Sequence, residues 1–185
     1  MLSGSDRTAA LAQYRRRAGG YDLERAVVEP VRRAAIGRLA RQSGERVLDV
    51  GCRTGLSFVI LRQSVGATGS IVGIEQSTDM MAKARERVAL NHRSKITLLC
   101  SPVETAAIAG HADAALFHFT HDILRQPEAI ANVMRHLKTR ARVVACGLKW
   151  ADAWALPVNV FVLLAASYST TTLQGLYEPW SGLAR

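Results

Sequence analysis

The stretch Val47-Leu48-Asp49-Val50-Gly51-Cys52-Arg53-Thr54-Gly55 decides the fold. It begins with residues that are apolar apart from Asp49, a pattern that indicates a buried strand. Gly51 and Gly55 then permit a tight turn and a close approach of backbone to a ligand. A helix is predicted over 55–62, and the N–H groups and partial positive charge at its start favour a polar ligand beside the turn.

Strands and helices alternate after this turn. Short apolar runs rich in β-branched residues predict strands at 46–50, 70–75, 95–100, 113–119 and 142–148. Helices are predicted at 77–90, where Ser77 caps the first turn, from Pro127 onward, and at 156–168. This alternation is typical of an α/β fold with a parallel sheet covered by helices on both faces.

The domain organisation follows from the same patterns. Residues 1–42 are predicted to form an N-terminal helical extension, because Leu23, Val27, Val31, Ala35 and Leu39 recur every four residues. Pro30 is expected in the first turn of a second helix. Residues 43–150 form the predicted α/β core, and 151–185 a C-terminal helix and tail.

The composition is that of one ordinary soluble domain. The chain has 185 residues and a net charge of +9, from 24 basic and 15 acidic residues. Such a charge suits nucleic acid or an anionic surface, or else arginines spread over solvated helix faces. We favour solvated faces, because no aromatic residues lie among the arginine clusters at 15–17 and 25–41. Nucleic acid is therefore not an expected partner.

The apolar stretches, the N-terminus and the cysteines bear on location and redox state. No apolar stretch is long enough to span a bilayer, and the N-terminus lacks a secretory signal pattern. Cys52, Cys100 and Cys146 lie in or beside apolar runs, so we expect free buried thiols in a cytoplasmic protein. No cysteine or histidine spacing predicts a metal site.

The expected ligand is a nucleoside. Ligands of open parallel sheets bind beyond the carboxyl ends of the strands. Glu75 ends the second predicted strand, 20 residues after Gly55, where an acid can accept both hydroxyl groups of a ribose. A dinucleotide site would carry G-x-G-x-x-G, but Arg53 stands at the second glycine position and the spacing is wrong for a pyrophosphate turn.

The stretch 47–55 resembles the first motif of class I S-adenosylmethionine-dependent methyltransferases, often read as (V/L)LD(V/L)GCGTG. The resemblance continues for about a hundred residues through V-G-I-E-Q-S-T-D-M-M, L-L-C-S-P-V-E-T and A-D-A-A-L-F-H-F-T-H-D-I-L. It is nearest to the ubiquinone/menaquinone-biosynthesis type and implies a Rossmann-like sheet. The cofactor-binding residues that it implies are Tyr21, Asp49, Gly51, Cys52, Arg53, Gly55, Glu75, Gln76, Met80, Ser101, Pro102, Val103, His118 and Phe119.

The resemblance also gives several of these residues expected positions. Glu75 would hold the ribose, and Met80 would make an apolar contact with the cofactor. Ser101 would stand where an acid commonly reaches the adenine amine. Asp49 would orient the glycine turn. Tyr21, followed by Asp22, would lie over the methionine end of S-adenosylmethionine.

The implied activity is in-line methyl transfer to a small-molecule acceptor, in which the protein mainly aligns the reactants and excludes water. An acceptor that must lose a proton needs a general base. His121 and Asp122 are the catalytic candidates, with helix capping as their alternative. For His118, which alternates with Phe117 and Phe119 in the strand, we favour a hydrogen-bonded structural histidine over a catalytic one. Tyr168, Tyr177 and Trp180 either line an acceptor pocket or pack a C-terminal helix.

The chain departs from the family pattern in two places. Arg53 replaces a glycine that leaves room for the methionine moiety; it points away, pairs with the carboxylate of S-adenosylmethionine, or blocks the pocket. Few residues follow the fifth strand, whereas the family has two further strands there. The fifth strand would then be an exposed edge, which we expect residues 149–185, or a second copy in a homodimer, to cover.

Three functions therefore remain open. The first is a small-molecule methyltransferase, which we favour. The second is a non-catalytic scaffold or interaction protein whose cofactor binding is weakened or lost through Arg53 and the missing strands. The third is an RNA methyltransferase, suggested by the net charge of +9.

Overall fold

A computed structural model describes residues 29–39, 42–90, 95–169, 173 and 175–183, with the backbone alone at 168–169. The predicted extension lies mostly outside these residues, including Tyr21, Asp22, Leu23 and Val27. Its described part is helix α1, Glu29–Leu39, with Pro30 in the first turn as predicted.

One five-stranded parallel sheet forms the centre of the described domain. Its strands are β1 (Arg46–Val50), β2 (Ser70–Glu75), β3 (Ile96–Cys100), β4 (Ala112–His118) and β5 (Leu137–Cys146), in the order β3-β2-β1-β4-β5. The order reverses direction between β1 and β4, which pair in register from Val47 with Ala114 to Val50 with Phe117. The predicted α/β class and parallel sheet are confirmed, and the carboxyl ends of β1, β2 and β4 meet at the reversal point.

Alternate residues of the strands face opposite sides of the sheet. Val47, Ile71 and Leu116 face helix α1 together with α2 (Phe58–Val65) and α3 (Thr78–Leu90). Leu48, Val72 and Phe117 face the opposite side, with α4 (His121–Leu124) and α5 (Pro127–Arg135). The side chains of these six strand residues are at most 2% exposed, so both faces are buried, as a parallel sheet requires.

The predicted element ends need small corrections. Helix α2 begins at Phe58 rather than Gly55, because the turn continues through Ser57. Ser77 does cap α3, since its hydroxyl accepts a hydrogen bond from the Met80 N–H (3.4 Å). The helix predicted from Pro127 onward is α5, which ends at Arg135, and Leu137 already begins β5.

The C-terminal helix α6, Leu156–Ser169, packs at the carboxyl end of the sheet. Its Val162 and Ala166 are buried against Phe119 and Leu148. Among the described strands β5 pairs with β4 alone, and residues 138–140 of β5 are exposed. Among the described residues, no further strand therefore lies beside the β5 edge. Coverage of this edge by a second copy of the chain stays a prediction.

Two expectations from composition were wrong in part. Cys100 is exposed because it lies on the edge strand β3, whereas Cys52 is buried and Cys146 half-buried. Arg32 is not on a solvated helix face: it is 4% exposed and forms an ion pair with Glu29. In the described part of the chain, no helix has the length and apolar character needed to cross a membrane.

Candidate functional site

The turn between β1 and α2 has three residues in left-handed backbone conformations. Gly51, Arg53 and Gly55 have φ angles of 68°, 53° and 75°. A Cβ on Gly51 would lie 2.6 Å from the Thr120 side chain, and one on Gly55 would lie 2.4 Å from the Phe58 ring. The glycines thus give the predicted tight turn, and the groups that approach them closely are the protein's own side chains.

Cys52 is part of this turn but faces away from it. Its N–H donates to the carbonyl of Ile74 (2.9 Å), and its side chain belongs to the core cluster on the α2 side of the sheet. Burial raises the pKa of the Cys52 thiol well above its ordinary value. Cys52 therefore contributes its backbone to the site and not its thiol.

Glu75 connects the turns that follow β1 and β2. One carboxylate oxygen accepts from the Arg53 N–H (3.1 Å), and the other accepts from the Ser77 N–H (2.7 Å). Burial raises the pKa of Glu75, while the Ser77 N–H and the Arg53 guanidinium oppose that rise. A carboxylate has about four lone-pair positions, so Glu75 keeps acceptor capacity for further donors such as ribose hydroxyls.

The Arg53 side chain extends from this turn to the end of β4. Its guanidinium donates to the carbonyls of His118 (Nη1, 3.4 Å) and Phe119 (Nη2). Arg53 is 8% exposed. A left-handed residue with a side chain costs roughly 1–2 kcal/mol, which charge-assisted hydrogen bonds of about 1.5–3 kcal/mol each offset. The guanidinium thus points toward the end of β4 and is held there by backbone carbonyls.

A narrow cleft lies beside this guanidinium, lined by the β1 turn, Arg32, Asp49 and His118. Its cavity volume is about 20 Å³, room for about one water molecule. Asp49 is 1% exposed, and its Oδ2 makes no hydrogen bond to the described residues. Burial raises the pKa of Asp49 to about 7, although the cations of Arg32 and Arg53 act in the opposite direction.

The first catalytic candidate, His121, contacts the segment after β5. Its Nε2 accepts a hydrogen bond from the Leu148 N–H (2.9 Å), and its ring lies 2.6 Å from where a Cβ on Gly147 would be. A ring nitrogen that accepts is unprotonated, so in the neutral ring the other nitrogen carries the proton. This contact positions the segment after β5, and the predicted role of His121 as general base stays a prediction.

The other candidates after β4 lie close by. Asp122 is half-buried in the first turn of α4, and Thr120, not the His121–Asp122 pair, occupies the N-cap. His118 lines the cleft and contacts the Phe119 ring edge-on, with centroids 4.8 Å apart. Phe119 has a φ of 54°, so its carbonyl turns toward Arg53 while its N–H donates to Cys146.

The predicted adenine-end residues follow β2 and β3. Gln76, Ser101 and Pro102 are half-buried, whereas Val103 is 5% and Met80 0% exposed. Met80 is thus enclosed by the protein, and a contact with S-adenosylmethionine would require the surrounding side chains to move. The structure brings together the residues of the β1, β2 and β4 ends, and Tyr21 lies outside the described residues.

Asn132 and Arg32 are among the buried polar residues that sequence reasoning missed. Asn132 on α5 donates to the carbonyls of Val103 (2.7 Å) and Ala106 (3.1 Å), which fixes the segment after β3. Its position between Ala129 and Val133 on the buried face of α5 was the available signal. Arg32 was missed because an arginine between apolar helix positions is typical of a solvated face.

Known proteins resemble this chain over its core. A model of the methyltransferase domain family matches residues 47–140. The chain belongs to this family. It is 41% identical over 58 residues to demethylmenaquinone methyltransferase of Shouchella clausii, which is 31% of this chain and 25% of that protein. It is 28% identical over 88 residues to carboxy-S-adenosyl-L-methionine synthase of Trichodesmium erythraeum, 47% of this chain and 34% of that protein.

A third relative is an RNA-modifying enzyme. The 23S rRNA (uracil(1939)-C(5))-methyltransferase of Acinetobacter baumannii is 44% identical over 54 residues, 29% of this chain and 12% of that protein. The matches therefore cover between 12% and 34% of the length of these relatives. The matches confirm the predicted family, and they leave the methyl acceptor open.

Solved methyltransferase structures share the fold. A SAM-dependent methyltransferase from Aquifex aeolicus superposes with a TM-score of 0.54 at 19% identity, covering 73% of this chain and 78% of that one. A methyltransferase from Thiobacillus denitrificans in complex with S-adenosyl-L-homocysteine has a TM-score of 0.50 at 19% identity, covering 62% and 46%. S-adenosylmethionine is thus the cofactor of this family of domains, as predicted.

The described residues fit one end of this cofactor. At the nucleoside end, the buried Glu75 carboxylate retains acceptor positions, and the half-buried Gln76 and Ser101 lie at the ends of β2 and β3. At the amino-acid end, the Arg53 guanidinium occupies the β4 carbonyls and the cleft has only about 20 Å³ of space. An amino-acid arm would therefore have to displace Arg53 to reach these carbonyls.

The buried Asp49 should make stability depend on pH. Its folded pKa of about 7 lies above its ordinary value of 3.8, so the folded protein retains a proton that the unfolded chain releases. The wild type and Asp49→Asn are unfolded in urea at several pH values. The unfolding free energy of the wild type minus that of Asp49→Asn should fall by about 4 kcal/mol between pH 4 and pH 8. Asp152→Asn removes an exposed carboxyl group as the control, and a wild-type–Asp49→Asn difference that is constant with pH would contradict this assignment.

Proposed function

We propose that this domain is an S-adenosylmethionine-dependent methyltransferase that acts on a small molecule. The observation that carries the proposal is Glu75, a buried carboxylate at the carboxyl end of β2 that faces the β1 turn. The site lies where the strand order reverses, which is the usual ligand position of an open parallel sheet. The family match over 47–140 supports the same activity.

The chemistry assigns limited roles to the protein. When bound, S-adenosylmethionine supplies an electrophilic methyl group for in-line displacement. Glu75 would hold the ribose, and the β1 turn would orient the nucleoside beside it. Phe119 and Leu148, buried with α6, would exclude water from the side of the site after β4.

The described geometry favours positioning over proton transfer. His121 uses its Nε2 to accept from Leu148, which fixes the segment that leads to α6. Asp122 is the remaining proton acceptor among the catalytic candidates, at the start of α4. An acceptor that loses no proton before methyl transfer would need neither group.

The small-molecule assignment is supported by the extent of the alignments. The match to carboxy-S-adenosyl-L-methionine synthase runs over 88 residues, and that to the 23S rRNA methyltransferase over 54. In addition, Arg32 contributes to the charge of +9 but is buried in the domain and unavailable to a phosphate backbone. Both observations favour a small acceptor over RNA.

The non-catalytic alternative has one observation in its favour, the guanidinium of Arg53 in the cleft. Nucleoside binding distinguishes the two functions, because a scaffold that has lost its cofactor would bind no nucleoside at Glu75. We therefore expect the wild type to bind nucleosides.

Replacing Glu75 should remove that binding. Calorimetric titration with 5′-methylthioadenosine should show binding to the wild type and at least tenfold weaker binding to Glu75→Gln, since the amide offers one acceptor oxygen in place of two. Glu86→Gln changes an exposed glutamate on α3 and should bind like the wild type. If Glu75→Gln, shown to be folded by circular dichroism, bound as tightly as the wild type, Glu75 would not be part of the site. If the wild type did not bind, the proposed function would be refuted.

The class of methyl acceptor can be identified from the fraction in which the labelled methyl group is recovered. The protein is incubated with S-adenosylmethionine labelled in its methyl group and either a small-molecule extract or total RNA. Label should enter the small-molecule fraction and be reduced by Glu75→Gln. Label recovered in RNA would contradict a small-molecule acceptor.

A further inference from the structure

We propose that Arg53 is the chain's own occupant of the subsite for the amino-acid arm of the cofactor, and so determines which adenosyl ligands the domain accepts. This inference rests on the proposed function. In the resting domain, ligands with the nucleoside alone should bind without hindrance, whereas ligands that also carry an α-amino-acid arm must first displace the guanidinium.

The chemistry of the cleft suits a cation. Arg53 donates to two backbone carbonyls at the end of β4, those of His118 and Phe119, and carbonyls only accept. The carboxyl group of Asp49 lines the same cleft, and Arg53 interacts favourably with its charge. An α-ammonium group of a ligand would seek the same acceptors, so the guanidinium and the ligand arm compete for them.

The backbone fixes the guanidinium in this position. Arg53 has a φ of 53°, and its N–H donates to Glu75. The carboxylate proposed to hold the ribose therefore also anchors the residue that fills the adjacent subsite. Because Arg53 is 8% exposed, its guanidinium has exchanged water for protein acceptors.

Space and charge both oppose joint occupancy. The cleft beside the guanidinium has a cavity volume of about 20 Å³, room for about one water molecule. Arg32, 4% exposed, lines the same cleft but is paired with Glu29. A sulfonium or ammonium group would therefore meet the charge of Arg53 unless the guanidinium moved away.

The expected consequence is a reduced apparent affinity for full-length ligands. When only a fraction of the protein is in the binding-competent state, the apparent affinity falls by that fraction. Shortening Arg53 removes the competing state for S-adenosylhomocysteine, which has the α-amino-acid arm. It leaves the affinity for 5′-methylthioadenosine, which lacks the arm, unchanged.

The test is calorimetric titration of both ligands into the wild type, Arg53→Gly and Arg140→Gly. Arg140 is the matched control, because it has a φ of 65° and is exposed on β5, so the same substitution relieves the same backbone conformation away from the cleft. Arg53→Gly should bind S-adenosylhomocysteine at least tenfold more tightly than the wild type, with 5′-methylthioadenosine changed less than twofold. Arg140→Gly should match the wild type for both ligands.

Other results would overturn the inference in distinguishable ways. Weaker binding of S-adenosylhomocysteine by Arg53→Gly would show that the guanidinium pairs with the ligand's carboxylate, and an unchanged affinity would show that it does not compete. Tighter binding of both ligands in equal measure would place the effect outside the amino-acid subsite. If no variant bound either ligand, the proposed function itself would fail.

A second substitution guards against a folding defect in Arg53→Gly. Asparagine tolerates left-handed backbone and is neutral and short, so Arg53→Asn should reproduce the selective gain for S-adenosylhomocysteine. Thermal unfolding identifies the variants that are folded at the titration temperature. A folded Arg53→Asn without that selective gain would contradict the inference.

Discussion

The hydrogen bond from the Arg53 N–H to the Glu75 carboxylate is the contact on which the rest of the site depends. It holds the turn after β1 against the end of β2, and the Arg53 side chain then continues to the carbonyls at the end of β4. One residue thus joins the carboxyl ends of three neighbouring strands. Because these contacts are buried, their loss would leave unpaired polar groups inside the protein.

The sheet beneath this site was predictable from local pattern. Apolar runs in β1, β2 and β4 alternate with helices, and a parallel sheet follows from the need to cover both faces. The boundary between α5 and β5 was not predictable, because Leu137 continues the helical spacing of Ile130 and Val133 although the helix ends at Arg135. The exposure of Cys100 depends on β3 lying at an edge, which is a property of strand order and not of the local sequence.

The site was predictable in its position more than in its contacts. Gly51, Gly55 and Glu75 lie together as their spacing indicated, since the β-α-β order fixes which turns become neighbours. The direction of Arg53 was left open, because an arginine side chain has many rotamers and its acceptors are carbonyls of a strand more than sixty residues away. The hydrogen bond from the Leu148 N–H to His121 could not be predicted either, because it depends on where the chain runs after β5.

The electrostatics of the cleft link the fold to its function. Asp49 is buried on the α1 side of β1 together with Arg32, and the cations of Arg32 and Arg53 offset part of the cost of burying its charge. An opening movement of Arg53 would expose Asp49 and the β4 carbonyls at once, so the same movement that admits a cationic arm also presents the acceptors for it. The stability of the resting domain and the affinity for a full cofactor are therefore opposed through a single side chain.

The most direct test of this account is nuclear magnetic resonance of the arginine guanidinium groups in protein labelled with ¹⁵N-arginine, with Arg53 assigned from the spectrum of Arg53→Asn. In the free protein, the Arg53 Nη protons should give resolved signals protected from exchange with water, unlike those of the exposed Arg140. Saturating S-adenosylhomocysteine should abolish that protection. Rapidly exchanging Arg53 signals in the free protein, or protection that persists with S-adenosylhomocysteine bound, would contradict the account.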